Sequence, residues 1–389
     1  MLEKEPNSHV YYLNLAYFDL PKTNPGFDLV VFHTSLLAER WDTTNFEELK
    51  SKFQKINWII DLYSVAFPQD EFYKANELDR FFSSLNVNLI FGLIPAYEFR
   101  KIYPNSSKFS SYFQVLPFYI EKREIPKYHK SFENRDLDLV YRAWAAEPWL
   151  GQAARDKLNM LQVQDLLKEQ LFKIDLSCSP DKQLENSDWL KLLASSKWTL
   201  VTPGGASISD PDGDLRNLYT QSGLPNKNID DFDLAYKKLK FSEFDFSLDL
   251  SVITPRILEA AICGTALIAF PSRYNDKLLP GVHYFPLNRD FSNLNSLIEV
   301  LNDIEVWNYY QTNLQKLIFQ DSYFHLENFV LKFEKISSDF TSKNFKTMLL
   351  LRLRLYSYRL RDIVSKVSIF YRFSIISKIF QKVKTILKF

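Results

Sequence analysis

Thr254-Pro255-Arg256-Ile257-Leu258-Glu259-Ala260-Ala261-Ile262-Cys263-Gly264-Thr265-Ala266-Leu267-Ile268 holds a helix, its stop and the strand after it in one short stretch. Thr254 is a good N-cap, and Pro255 suits the first helical position, where its missing N–H costs nothing. Gly264 supplies the left-handed residue that closes a helix. The stretch therefore predicts a helix over residues 255–263 that feeds a buried strand, Ala266-Leu267-Ile268-Ala269-Phe270. The N-terminus of such a helix attracts anions through free N–H groups and its dipole. Arg256 stands in the first turn, where a cation opposes that dipole; an anionic ligand or a nearby carboxylate would resolve the conflict. Glu259 is one turn deeper, since a capping-box acid would stand at Ile257. Its neighbours Leu258, Ala260, Ala261 and Ile262 are apolar or small, which predicts a buried or crevice-facing carboxylate.

Upstream, short apolar runs alternate with helical ones. Val30-Val31-Phe32, Trp58-Ile59-Ile60-Asp61-Leu62 and Val87-Asn88-Leu89-Ile90-Phe91 are separated by helical patterns over 46–55 and 75–85. A second series begins at Leu137-Asp138-Leu139-Val140-Tyr141. It continues through a helical pattern over 151–171, the run Lys173-Ile174-Asp175-Leu176, a helix over 188–194, and Trp198-Thr199-Leu200-Val201. Apolar runs without polar alternation, spaced by helices, predict parallel sheets built of βαβ units and covered on both faces. The charged stretch 121–136, with Pro126, is expected to link two such domains, residues 1–125 and 126–342, which would face each other across a crevice at their strand ends.

The chain has 389 residues, for which about 150 per domain gives two domains. A hydrophobic fraction of 46% is enough for real cores and excludes a disordered chain. Two cysteines, Cys178 and Cys263, cannot build a disulfide framework or a four-thiolate zinc site, and fit a reducing compartment. The net charge of +1 hides an asymmetry. Residues 343–389 hold twelve Lys and Arg against the single acid Asp362, a net +11, so the rest of the chain carries about −10. An acidic body lacks the clustered cations that nucleic acid needs. Over residues 373–388 the apolar side chains share one helical arc and the basic ones the other, the pattern of a helix that lies in an anionic membrane interface. Arg372, Lys378 and Lys382 keep this tail from reaching the roughly 18 apolar residues of a membrane span. Met1 to Asn7 is charged and has no apolar core, so no leader is expected.

Among the remaining motifs, Asp210-Pro211-Asp212-Gly213-Asp214 has its Gly at the fourth position and Gln221 at the twelfth, which excludes a calcium loop; an Asp-capped turn before a helix is expected. His33 ends a predicted strand, and Asp70 and Glu71 follow another; strand ends are where a catalytic base would stand, so these three are the acceptor-side candidates. No His or Cys pair has metal-ligand spacing.

The quoted helix resembles the nucleotide-sugar-binding segment of bacterial glycosyltransferases with the GT-B fold, of the group 1 and spore-maturation type. Leu279-Pro280-Gly281-Val282-His283, Asp138 to Arg142, Leu150-Gly151, the loop Gly204 to Gly213 and Gln69-Asp70-Glu71 are similar to the same group in their order and spacing. The resemblance spans most of residues 28–335. It implies two Rossmann-like domains: an N-terminal one for the acceptor and a C-terminal one for a nucleotide-diphosphate sugar. Glu259 would accept the donor's ribose hydroxyls. Gly204, Gly205 and Ser207 would bring backbone N–H groups to the diphosphate. Arg142, Arg216 and Arg256 would neutralise it without a metal, and Gly264, Thr265 and His283 would belong to the donor side. Many relatives carry a second Glu eight positions earlier, where this chain has Ser251; Asp249 substitutes or the contact is absent. The expected activity is sugar transfer to a polysaccharide, lipid-linked or surface-glycan acceptor, with no cofactor. The expected location is the cytoplasm, peripheral on the inner face of a bacterial membrane. A same-fold epimerase or phosphorylase, and a non-catalytic scaffold, are the alternatives.

Overall fold

The computed structural model describes residues 10–15, 19–121, 128, 130–184 and 186–338. The tail, residues 343–389, and part of the charged stretch 121–136 lie outside them. Among the described residues the strands form two sheets, parallel throughout. The first holds β1 (Leu29–Phe32), β2 (Tyr63–Ala66), β3 (Leu89–Gly92) and β4 (Ser111–Gln114) in that order. The second holds β5 (Leu137–Arg142), β6 (Ile174–Ser177), β7 (Ser196–Val201), β8 (Ala266–Ala269) and β9 (Phe285–Pro286), in the order β6-β5-β7-β8-β9.

Burial follows this order. The interior strands β3 and β8 are buried at all four positions, whereas the edge strand β1 leaves Val31 exposed. The first sheet winds in one direction only, which puts its crossover helices Thr43–Gln54 and Ala75–Ser84 on one face. There they pack on Phe32, Ala66 and Ile90. The alternate residues Val65, Leu89 and Phe91 point to the other face. The helix Leu326–Ser338 returns from the far end of the chain to cover it, bringing Phe329 and Phe333 to 5.7 and 5.8 Å from the Phe91 ring.

Two expectations shift. The run from Trp58 to Leu62 is a turn and not a strand: the Trp58 indole N–H donates to the Pro21 carbonyl, Ile59 is buried, and the strand begins at Tyr63. The helical pattern over 151–171 breaks into Gln152–Asn159 and Gln162–Leu166. The quoted helix forms over Pro255–Cys263, with Gly264 left-handed at its end.

The halves also join directly. Lys74 N–H donates to the Asp210 carbonyl at 2.9 Å, and Asp210 N–H to the Phe72 carbonyl at 2.7 Å. Arg216 lies over the rings of Trp41 and Tyr73, and Asp249 binds both Tyr97 and Arg273.

Candidate functional site

In the second sheet the chain runs from β5 outward to β6 and then crosses back to β7. The strand order reverses between β5 and β7, and an open parallel sheet forms its ligand crevice outside the strand ends at such a point. The first sheet has no reversal.

The carboxyl ends of β5 and β7 carry Tyr141 and Thr202. Both are buried, and the Thr202 hydroxyl lies close enough to bond the Tyr141 hydroxyl; neither has another hydrogen-bond partner among the described residues. Paired only with each other, the two hydroxyls keep unused donor and acceptor capacity. Two cations stand with them. Lys157, on the helix Gln152–Asn159, and Arg256, on Pro255–Cys263, are each half-buried and have no hydrogen-bond or ion-pair partner among the described residues. Burial first, and the Arg256 charge second, push the Lys157 ammonium down to about 8. Other enclosed cations are satisfied: Arg135 donates to four carbonyls and the Thr265 hydroxyl, and Arg40 donates to the carbonyls of Leu37, Gln69, Asp70 and Tyr73.

Lys157 stands in the last turn of its helix and Arg256 in the first turn of its own, and the starts of the two helices differ. On Gln152–Asn159 the Gln152 N–H donates to Asp245 and the Ala153 N–H to Ser207 Oγ, so protein acceptors fill it. On Pro255–Cys263 the Thr254 side chain makes no capping bond, Pro255 has no N–H, and the Arg256 N–H is left open. An open helix start beside two cations without partners among the described residues has the electrostatics that suit an anion. One turn along, Glu259 accepts the Trp189 indole N–H at 2.8 Å through Oε2, and Oε1 has no partner among the described residues. Burial raises the Glu259 carboxyl, while Trp189 and Arg256 lower it.

From the first half, the loop after β2 presents Asp70. Its carboxylate is exposed to solvent yet surrounded by protein: burial raises it, and Arg40 and then Lys157 lower it. Asp70 is thus near enough to Lys157 for the two charges to interact. Glu71 is not presented there. It is 2% exposed, accepts the N–H groups of Leu93 and Ile94 and the Tyr103 hydroxyl, and is raised by burial to about 7. His33, after β1, is exposed and caps the turn Thr34–Leu37 by accepting the Ser35 N–H.

Other expected donor-side residues are engaged elsewhere. Arg142 spends its guanidinium on the carbonyls of Tyr141, Asp175 and Lys182 and on the Asp175 carboxylate. Gly204 pairs its backbone with Val252. Gly205 is required by packing, because at φ +82° a Cβ would meet the Leu250 carbonyl oxygen at 2.4 Å. Arg216 donates to the Tyr73 hydroxyl. Gly264 and Thr265 lie at the far end of the helix, about 12 Å along its axis from Arg256, where the Thr265 hydroxyl donates to the Leu193 carbonyl. His283 precedes β9 and accepts the Leu279 N–H. Asp249 is held by Tyr97 and Arg273, and the Ser251 hydroxyl lies against the Ser272 hydroxyl. Asp210 caps the helix Asp214–Ser222 through the N–H groups of Leu215 and Arg216, the turn expected from its sequence.

Sequence reasoning missed Lys157, Thr202, Tyr141 and Trp189. A lysine within a helical pattern looks like a solvated one; only its place just after Leu150-Gly151 at a strand end could have marked it.

The fold defines an α/β protein with two parallel-sheet halves and a topological switch point in the second. The chain matches no family model and no curated protein. Solved structures similar to it include an alpha-glucosyltransferase in complex with UDP, at TM-score 0.48 and 12% identity, over 80% of this chain and 81% of that one. A sucrose-phosphate synthase from Thermosynechococcus elongatus is similar at TM-score 0.43 and 10% identity, over 80% and 73%. HepE of Anabaena, in complex with UDP and glucose, is similar at TM-score 0.43 and 13% identity, over 78% and 82%. Likeness at these scores carries no argument about chemistry.

Proposed function

We propose that the chain is a GT-B-type glycosyltransferase that takes a nucleoside-diphosphate sugar in the crevice outside β5 and β7. One observation carries the reading: Lys157 and Arg256 have no hydrogen-bond or ion-pair partner among the described residues, and they stand near the buried hydroxyls of Tyr141 and Thr202 at the switch point. Enclosed cations without partners are costly, and a diphosphate supplies the missing charge and acceptors. Lys157, Arg256 and the open Arg256 N–H would hold the diphosphate and stabilise it as it leaves, without a metal. The free oxygen of Glu259 would accept a ribose hydroxyl, with Trp189 fixing the carboxylate. Asp70 lies near Lys157 and would act on the acceptor, a glycan or lipid-linked hydroxyl.

The test is a thermal-denaturation panel of nucleoside-diphosphate sugars, UDP and inorganic pyrophosphate. A ligand at about a hundred times its Kd adds roughly 2.7 kcal/mol. If none of them raises the melting temperature, the reading fails. Membrane association through the basic tail belongs to the same proposal; full-length protein should cosediment with anionic vesicles and the chain ending at residue 342 should not, and equal sedimentation refutes it.

A further inference from the structure

Two buried charges grip one short loop. Arg40 is 1% exposed. Its Nη2 donates to the carbonyls of Gln69 at 2.5 Å and Asp70 at 2.8 Å, and its Nε to the Tyr73 carbonyl at 3.0 Å. Glu71 receives the N–H groups of Leu93 at 2.6 Å and Ile94 at 3.2 Å. The carboxylate fits against the end of β3 only because residue 92 is glycine, where a Cβ would lie 2.4 Å from Glu71 Oε1. Between these anchors stands Asp70, exposed and left-handed at φ +52°.

Burying the Arg40 and Glu71 side chains carries a desolvation penalty, and the left-handed conformation at Asp70 is one that few residues other than glycine, asparagine and aspartate adopt. A loop that merely connects β2 to the helix Ala75–Ser84 needs neither. Strain that the surroundings over-determine points to function when it sits at a crevice.

We propose that Arg40 and Glu71 are a positioning pair that fixes the Asp70 carboxylate near Lys157; the inference rests on the glycosyl-transfer reading above. In the reaction the acceptor oxygen bonds to the anomeric carbon. The bond from that carbon to the diphosphate oxygen breaks, and its electron pair leaves with the diphosphate. The proton of the acceptor hydroxyl passes to Asp70. Arg40 and Glu71 touch none of these atoms. They act by denying the loop any alternative backbone conformation, and misplacement by about 1 Å can cost about a hundredfold in rate.

The experiment is a double-mutant cycle in the full chain, with UDP-glucose turnover and UDP binding as readouts. Arg40→Lys and Glu71→Gln should each lower kcat about a hundredfold while the Kd for UDP stays within about twofold. In an Asp70→Asn background neither should lower kcat further, because residues acting as one unit are not additive. Effects that multiply in that background, or a UDP Kd that weakens in step with kcat, overturn the proposal. Tyr103→Phe, which removes one bond to Glu71, is the milder variant should Glu71→Gln fail to fold; it should lower kcat without changing the UDP Kd. If no nucleoside-diphosphate sugar of the panel is bound or turned over, the function reading fails separately. The pair is then judged by the titration of Asp70 in carbon-13 spectra, which Glu71→Gln must shift; an unmoved titration overturns the proposal.

Discussion

Replacing Lys157 with methionine should make the empty protein more stable and its donor complex weaker. The Lys157 ammonium is enclosed near Arg256 with no hydrogen-bond or ion-pair partner among the described residues, and its pKa falls from 10.5 to about 8. A fall of that size is about 3 kcal/mol of disfavoured charge at neutral pH. Methionine keeps the apolar stem and removes the charge, so up to about 3 kcal/mol should return to the empty fold. The sign follows from proton binding. The folded state holds its Lys157 proton less tightly than the unfolded chain, so the penalty is complete below about pH 8 and fades as pH rises toward 10.5. The stability advantage of the variant should shrink over that interval. The same substitution removes a charge-assisted hydrogen bond to phosphate, about 1.5–3 kcal/mol, and UDP should bind roughly 10- to 100-fold more weakly. Urea unfolding with and without UDP, from pH 6 to 10, reads both effects. A variant that is less stable when empty and binds UDP as tightly as before would make Lys157 a structural cation and refute the reasoning.

Glu259→Ala should weaken UDP binding about tenfold or more through the lost ribose contact and leave pyrophosphate binding unchanged, as calorimetry of the two ligands would show. UDP affinity should be level below about pH 8 and decline above it as the empty site loses the Lys157 proton, measurable as proton uptake on binding. Gly205→Ala should cost about 1–3 kcal/mol in thermal unfolding, since it forces a side chain into a left-handed residue against the Leu250 carbonyl.

How far the sequence could be read depended on whether a signal was local. The helix Pro255–Cys263 was legible to the residue because proline and glycine mark its two ends. Apolar runs placed β1, β3, β5, β7 and β8 to within a residue or two. They misplaced β2, because Trp58-Ile59-Ile60 is as apolar as a strand but forms a turn in which Ile59 alone of the three is fully buried. β4, Ser-Tyr-Phe-Gln at the sheet edge, has no continuous apolar run and gave no signal. The site was harder for the same reason. Arg256 and Glu259 share one helix and could be read from it. Lys157, Thr202 and Trp189 come from three further elements that only the fold brings near them. Arg142 and Arg216 show the converse: a cation at a strand end or helix start looks free in sequence, and long-range acceptors at Asp175, Lys182 and Tyr73 claim these two. Glu71 looked like a rival to Asp70 because adjacent residues are equal in sequence. Backbone direction separates them, turning Glu71 into the protein and leaving Asp70 in the crevice.

The most direct test is a crystal structure of the full chain with bound UDP. The account predicts phosphate oxygens within hydrogen-bond distance of Lys157 Nζ and the Arg256 guanidinium, and a ribose hydroxyl on Glu259. A nucleotide seated elsewhere, with Lys157 and Arg256 still unpaired, would contradict it.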